Sequence, residues 1–180
     1  CPGSALSIEG MPAGACAELP HDWRVPPARL EPFLKGRRSI RRYTGKPVDR
    51  ATLEKLIDIA RYAPSGINRQ PVYWAVVQDS AKVRALAAGV VDWMRELVAR
   101  KSELAESLRF HRIIAAGERG GDPVARSAPH IILAYGLKED PMAPVASTIA
   151  LTYLELYAAS CGLGACWAGY VQMAINMSDV

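Results

Sequence analysis

Residues 49–77 read DRATLEKLIDIARYAPSGINRQPVYWAVV, and this stretch decides the fold class. Asp49 stands where a helix N-cap is expected, and the apolar residues after it recur at helical spacing: Leu53, Leu56, Ile57, Ala60 and Ala63. The tripeptide PSG at 64–66 predicts the end of this helix. Residues 72–77 are rich in β-branched and aromatic side chains and predict a strand.

Helices and strands alternate on both sides of this stretch. The predicted elements are a short helix at 28–34, a long amphipathic helix capped by Ser80, a helical excursion with a mobile loop at 101–127, a second strand at 130–135, a helix at 146–161 and a third strand at 165–171. The helix at 146–161 is apolar on nearly every side, which indicates burial on several sides. This order of elements indicates a layered α/β or α+β domain.

Composition excludes several classes of protein. The chain has 180 residues, of which 50% are hydrophobic and 22% charged, so it is neither disordered nor fibrous. Its net charge of +4 is too small for a dedicated nucleic-acid binder. Four cysteines are too few for a disulfide-stapled scaffold, and the three histidines lack the spacing of a metal or hydrolytic site. No export signal is recognisable and glycines interrupt the apolar stretch 141–175, so we expect a cytoplasmic protein without a membrane or nucleic-acid partner.

The two ends of the sequence differ from its middle. Residues 1–28 are rich in Pro, Gly and Ala without a sustained periodicity, as in a linker or the edge of a domain. The chain starts with Cys-Pro and stops directly after an apolar stretch. We therefore expect residues 1–28 to be a remnant of a preceding region and residues 29–180 to be one domain whose C-terminal part is incomplete.

A cationic stretch, the arginine segment (residues 37–43, RRSIRRY), carries groups suited to an anion. Extended backbone would place Arg37, Ser39 and Arg41 on one side, where guanidinium groups and a hydroxyl suit a terminal phosphate. A solvated charge run or a nucleic-acid patch would have the same composition, so the segment alone leaves its role open.

Two further segments carry groups suited to a planar ligand. The Pro-Ser loop (residues 63–71, APSGINRQP) crowds hydroxyl and amide groups that suit a heteroaromatic edge, although a tight turn that satisfies its own backbone would use the same residues. The glycine segment (residues 162–170, GLGACWAGY) allows a planar cofactor to approach the backbone closely. Its glycine spacing differs from the dinucleotide-binding fingerprint.

In this order, the three segments resemble the nitroreductase family of FMN-dependent oxidoreductases, from about residue 30 to the C-terminus. The resemblance implies an α+β fold of three α/β/α layers, with a central, mostly antiparallel sheet, in an intertwined homodimer that holds FMN at its interface. It also implies the FMN contacts: Arg37, Arg38, Ser39 and Arg41 for the phosphate and ribityl chain, Pro64, Ser65, Gly66, Asn68 and Gln70 largely from the partner subunit, and Trp167, Ala168 and Gly169 at the ring and its N5.

The first residues carry a second resemblance. The opening CPG looks like the end of a bacterial ferredoxin motif, in which a proline follows the last cluster cysteine. Some nitroreductase-like proteins carry such a module in front, which implies that Cys1 would ligate a 4Fe-4S cluster only in a longer chain. Cys16, Cys161 and Cys166 lack a spacing that completes a cluster and are expected to be incidental thiols.

The resulting hypothesis is an FMN-dependent oxidoreductase that reduces small electron-poor acceptors, nitroaromatic or quinone-like, by ping-pong electron transfer through the flavin N5. Either NAD(P)H or a ferredoxin-type iron–sulfur donor would supply the electrons, no catalytic side chain is required, and residues 101–127 are expected to form the lid. Two alternatives stay open: a flavin-binding electron-transfer or regulatory module without small-molecule turnover, and a dehalogenating or flavin-fragmenting relative.

Overall fold

A computed structural model describes residues 19–178 of the chain. The chain divides into two compact units, one ending at Arg37 and one beginning at Arg38. In the first unit, helix α1 (Pro27–Gly36) begins with a proline, whose missing N–H costs no hydrogen bond at this position. It confirms the helix predicted at 28–34. Residues 1–18 lie outside the described part, and with them Cys1, Cys16 and most of the expected remnant.

The second unit alternates helices and strands. Its elements are α2 (Arg50–Ala60), a 3-10 turn (Gly66–Asn68), β1 (Tyr73–Val77), α3 (Ser80–Ala99), α4 (Glu103–Ser107), α5 (Phe110–Glu118), β2 (Ile131–Tyr135), α6 (Ala143–Ser160) and α7 (Gly169–Met177). Asp49 caps α2 as predicted, because its carboxylate accepts a hydrogen bond from the Thr52 amide at 2.8 Å. The strands predicted at 72–77 and 130–135 and the helix predicted at 146–161 are confirmed, with slightly different ends.

The sheet separates two helical layers. β1 and β2 pair antiparallel, with Ala75 opposite Leu133. On one face, Trp74 and Val76 pack with α2 and α6 around buried leucines of those helices. This alternation of faces along β1 follows from the two-residue period of a strand.

The other face of the sheet covers the larger core. Val77 and Leu133 pack there with α3, α5 and α7. Met94 and Phe110 are completely buried in this core, and burial of a side chain of that size contributes about 1.5–3 kcal/mol. Helices on both sides of an antiparallel sheet confirm the predicted α+β class and its α/β/α layering.

The third strand predicted at 165–171 is wrong. Residues 165–168 form no strand, and α7 begins at Gly169. Val171 and Ala174 are buried three positions apart, which is helical spacing, and the Gln172 amide donates to the Ala168 carbonyl at 3.1 Å. A short apolar run does not distinguish a strand from a buried helix, and here the helical period decides.

Two other features differ from the prediction. Asp79, not Ser80, is the N-cap of α3, and its carboxylate accepts a hydrogen bond from a first-turn amide at 2.7 Å. Residues 101–127 form α4, α5 and a compact turn, in which Val124 and Ala125 are buried. The predicted helical excursion is therefore confirmed, whereas its last part, predicted as a mobile loop, packs against the core through Val124 and Ala125.

His130 fastens the segment before α2 to the sheet. The Val48 amide donates to His130 Nε2 at 2.8 Å, and His130 Nδ1 lies 2.8 Å from the Gln78 carbonyl oxygen. Since Nε2 accepts, the matching tautomer has its proton on Nδ1, which donates to that carbonyl. Within residues 19–178 no cluster of His, Cys, Asp and Glu could hold a metal ion, and no helix there is long and apolar enough to span a membrane.

Candidate functional site

The arginine segment lies against the glycine segment. The Ile40 amide donates a hydrogen bond to the Ala165 carbonyl oxygen at 2.9 Å. Gly164 permits this approach, because a Cβ at that position would lie 2.7 Å from Cγ2 of Ile40. Two segments that are far apart in the sequence are thus held together through their backbones.

A second contact joins the same two segments. The Tyr43 hydroxyl and the Cys166 thiol lie 3.3 Å apart. Burial of the phenol, and then this hydrogen bond, raise the pKa of Tyr43, while the positive charges of Arg41 and Arg126 oppose the rise. The phenol therefore stays neutral at physiological pH.

The polar side chains that follow Arg37 remain accessible. Arg38 and Arg41 are exposed and Ser39 is half-buried. Within residues 19–178, neither Arg38 nor Arg41 forms an ion pair with a carboxylate. Arg37 belongs to the first unit, where it is the C-cap of α1, so its predicted part in the site still rests on the sequence.

The end of the glycine segment forms the start of α7. Gly169 is the first residue of that helix, and no side chain caps it. The first amides of a helix have no partner within the helix, and they carry the positive end of its dipole. Trp167 is exposed, and its indole Nε1 donates to Oε2 of Glu155 on α6 at 3.0 Å. The backbone donors that follow Trp167 and Ala168 are therefore those of a helix start, and not those of the predicted strand.

The Pro-Ser loop is a strained turn at the surface. Ile67, Asn68 and Gln70 adopt left-handed backbone, with φ of 46°, 55° and 50°. For a β-branched residue this conformation is an outlier, and the Ile67 side chain is 93% exposed. The Ser65 hydroxyl accepts from the Gln70 amide at 2.9 Å, and Gln70 Nε2 donates to Asn68 Oδ1 at 3.3 Å. Pro64 and Gly66 are exposed beside them.

One ion pair fixes this loop to the connection before α6. Arg69 Nη2 lies 3.5 Å from Oδ2 of Asp140, whose side chain is buried and whose Oδ1 accepts from the Met142 amide at 3.0 Å. A cavity of about 430 Å³ opens beside the loop, and its lining includes Ser65, Gln70, Trp74, Ala146 and Ala150. This cavity therefore lies at the Pro-Ser loop and the first turns of α6, not at the arginine segment.

The three predicted segments thus form two groups. Ala146 lines the cavity at the Pro-Ser loop, and α6 ends at Ser160, shortly before the glycine segment. The rise of α6 between these residues is about 20 Å. One chain brings the arginine and glycine segments together but holds the Pro-Ser loop near the opposite end of α6.

Sequence reasoning missed several residues of this region. Tyr43 and Cys166 form the second contact between the segments, and Asp140 anchors the Pro-Ser loop. The charge of Arg126, in a stretch predicted as a mobile loop, opposes the rise in the pKa of Tyr43. The position of Tyr43 directly after the arginine run is the one signal in the sequence that could have pointed to it.

Known proteins resemble this chain over a range that includes all three segments. The sequence profile of the nitroreductase family matches residues 34–180. The nitroreductase NfnB of Mycolicibacterium smegmatis is 29% identical over 93 residues, which cover 52% of this chain and 37% of that protein. The chain therefore aligns with little more than a third of this curated relative.

Two solved structures share the fold. A nitroreductase with bound FMN from Bacteroides fragilis superposes with a TM-score of 0.67 and 22% identity, covering 82% of this chain and 73% of that one. NfnB from Mycobacterium smegmatis in complex with NADPH superposes with a TM-score of 0.56 and 20% identity, covering 84% of this chain and 82% of that one. At these identities the superpositions establish the architecture of the chain.

Proposed function

The chain belongs to the nitroreductase family, and we propose that it is an FMN-dependent oxidoreductase whose cofactor lies on the arginine and glycine segments. The observation that carries this proposal is the backbone hydrogen bond of 2.9 Å between Ile40 and Ala165. It sets a cationic segment beside an uncapped helix start. A cofactor with a phosphate at one end and a planar ring at the other needs both.

The residues present fit FMN in charge and in shape. Arg38 and Arg41 have no carboxylate partner within the described residues, and Ser39 adds a hydroxyl, so these groups can serve a phosphate. Gly169 leaves the start of α7 without a side chain, and no atom lies near its Cβ position, so a ring could approach the backbone there. A solved protein of the same fold supports the assignment, since the nitroreductase from Bacteroides fragilis has FMN bound.

The chain binds and orients the cofactor. When bound, FMN supplies electron transfer through N5 of its ring. In this proposal Arg38 and Arg41 hold the phosphate, and the backbone of Ala168 and Gly169 supports the N5 edge. Glu155 fixes the indole of Trp167 at that edge through the hydrogen bond of 3.0 Å. No side chain is required to act as an acid or a base.

The position of the Pro-Ser loop supports a site shared by two chains. This loop lies beside the first turns of α6, whereas the glycine segment follows the end of that helix, and we propose that the loop serves the flavin of a second chain. A second copy related by a two-fold axis would bring its Asn68 and Gln70 to that flavin. The reverse contact would follow by symmetry, so a dimer would hold two equal sites.

One face of α6 supports such a dimer. Val145, Thr148, Thr152 and Tyr153 lie at helical spacing on this face and are exposed. The two threonine hydroxyls donate to carbonyl oxygens one turn earlier, both at 2.9 Å, so they need no partner outside the helix. The face therefore offers methyl groups and a ring, as does the exposed Ile67 of the Pro-Ser loop, and these suit burial against a second copy.

We propose NAD(P)H as the electron donor and a nitroaromatic or quinone-like compound as the acceptor. The NADPH complex of NfnB, which shares this fold, supports the choice of donor. Donor and acceptor would use the same exposed face of the ring in turn, which gives ping-pong kinetics.

The test is a flavin titration followed by a turnover assay. The purified chain is mixed with FMN and its absorption spectrum recorded after removal of unbound flavin. We expect retained flavin bands that NADPH bleaches and that a nitroaromatic or a quinone restores. A chain that retains no flavin contradicts the proposal. Retention of FMN without turnover of either acceptor would instead indicate an electron-transfer module.

A further inference from the structure

The Pro-Ser loop holds three residues in an unfavourable backbone conformation. Ile67, Asn68 and Gln70 have positive φ values, which are uncommon for residues other than glycine. Such residues persist only where the surrounding structure fixes them. The side-chain hydrogen bonds from Gln70 to Asn68 and from the Gln70 amide to Ser65 join residues of the loop to each other. They stabilise its shape without fixing it to the rest of the chain.

Asp140 fixes the loop from outside it. Its side chain is only 7% exposed, and its Oδ2 lies 3.5 Å from Nη2 of Arg69, in the middle of the loop. Its Oδ1 accepts a hydrogen bond from the Met142 amide at 3.0 Å, directly before α6 begins. One buried carboxylate therefore joins the strained loop to the start of α6.

The two partners of this ion pair depend on it unequally. The side chain of Arg69 is 56% exposed, so water can solvate its guanidinium in other conformations of the loop. The Asp140 carboxylate has little access to water, and a buried charge without a partner is unfavourable. The pair therefore favours the loop conformation in which Arg69 lies against Asp140.

We propose that Asp140 is a positioning residue for the flavin site and that it acts through Arg69 on the Pro-Ser loop. This inference rests on the proposed function, in which the loop serves the flavin of a second chain. Asp140 touches no cofactor in this arrangement. It keeps Asn68 and Gln70, the exposed neighbours of Arg69, in the conformation that presents their amide groups to the flavin.

The variant D140N removes the charge of this residue and keeps its bond to α6. An asparagine Oδ1 still accepts from the Met142 amide, whereas the ion pair with Arg69 is lost. D92N is the matched control, because Asp92 on α3 also pairs with an arginine, Arg95, at 2.7 Å. We expect the Kd for FMN to rise about threefold in D140N, because the loop spends less time in the binding conformation, and to stay unchanged in D92N. An unchanged Kd in D140N would overturn the proposal.

A mixed dimer separates positioning from damage within the D140N chain. Dimers of D140N with R38A/R41A, isolated by different tags, have one intact phosphate end, which lies on the D140N chain. The loop that serves this site comes from the other chain, where Asp140 is intact. The site should therefore bind FMN with the wild-type Kd. A Kd as weak as that of the D140N dimer would overturn the proposal, because the defect would then lie within the D140N chain.

Trypsin gives a readout without flavin. It cleaves after arginine, and the bond between Arg69 and Gln70 lies within the loop. Where a loop opens and closes faster than it is cut, the cleavage rate follows the population of the open form. Cleavage at this bond should be faster by about threefold or more in D140N than in D92N and the wild type. If the wild type binds no FMN, the proposed function fails, and this rate still decides whether Asp140 holds the loop. Equal rates in D140N and D92N would show that it does not.

Discussion

Replacement of Gly164 by alanine tests the contact on which the site depends. A Cβ at this position would lie 2.7, 2.9 and 3.2 Å from Cγ2, Cβ and Cγ1 of Ile40. Carbon atoms in proteins pack at about 3.5–4.0 Å. Rotation of the Ile40 side chain cannot move its Cβ, so the backbone of the arginine segment must move away by roughly half an ångström or more to restore that separation.

The magnitude follows from this displacement. Overpacking of a close contact costs about 1–3 kcal/mol, and the half-exposed surroundings of Ile40 favour the lower end of that range. The displacement also lengthens the bond of 2.9 Å between the Ile40 amide and Ala165. Since Arg41 follows Ile40 directly, we expect the affinity of G164A for FMN to fall about tenfold, which corresponds to about 1.4 kcal/mol.

A double-mutant cycle with I40G separates this contact from general damage. The assay measures the Kd for FMN and the free energy of unfolding in urea for the wild type, G164A, I40G and the double variant. Without the Ile40 side chain, the added methyl group has space, so G164A should cost little in the I40G background. G89A is the control, because Gly89 lies within α3 with no atom near its Cβ position and should stabilise the chain by about 0.5–1 kcal/mol. An unchanged Kd in G164A, or the same loss in both backgrounds, would show that the contact between Gly164 and Ile40 does not position the arginine segment.

Three further predictions concern the surroundings of the site. H130L removes both hydrogen bonds of the His130 ring and should lower the free energy of unfolding in urea by about 2 kcal/mol. A loss of only about 0.3 kcal/mol would show that the ring does not hold the segment before α2 against the sheet. I67N should raise the free energy of unfolding of the single chain by about 1 kcal/mol, because asparagine tolerates left-handed backbone. Sedimentation should show a weaker dimer, since the exposed Ile67 side chain is lost. A dimer as tight as that of the wild type would show that Ile67 does not lie in the interface. Hydrogen bonds from Thr52 lower the pKa of Asp49, so its stabilising contribution is present at neutral pH and is lost as the pH falls through the folded value. D49A should therefore be less stable than the wild type at pH 7, and thermal unfolding should show the gap closing on acidification; a gap that widens in acid would contradict this sign.

The sequence predicts local structure where one signal dominates. Asp49 with its apolar periodicity identifies α2, and residues 72–77 and 130–135 identify the two strands, because β-branched runs have few alternatives. The strand predicted at residues 165–171 is wrong, because an apolar run beside glycines suits a strand or a buried helix equally. Val171 and Ala174 are three residues apart, and this helical spacing becomes visible only when the residues after 171 are included.

The site is predictable in composition but not in arrangement. The sequence identifies Arg38, Ser39 and Arg41 as candidates, because guanidinium groups and a hydroxyl in a short run suit a phosphate. Their contact with the glycine segment depends on Gly164 and the Ile40 amide, whose partners lie far away in the sequence. Asp140 gave no signal at all, because its ion pair with Arg69 joins two residues that are far apart in the sequence.

If one FMN site uses residues from two chains, complementation between two differently broken chains should restore it. R38A/R41A removes the phosphate end of the proposed site, and N68A/Q70A removes the partner's loop. Chains of the two kinds, carrying different tags, are refolded together, and dimers with both tags are isolated. Each variant alone should retain no FMN, whereas the mixed dimer, which regains one intact site, should retain about one FMN per dimer. A mixed dimer without FMN would contradict the shared site. That result is expected if each site lies within a single chain, because each chain of the mixed dimer then carries a broken site.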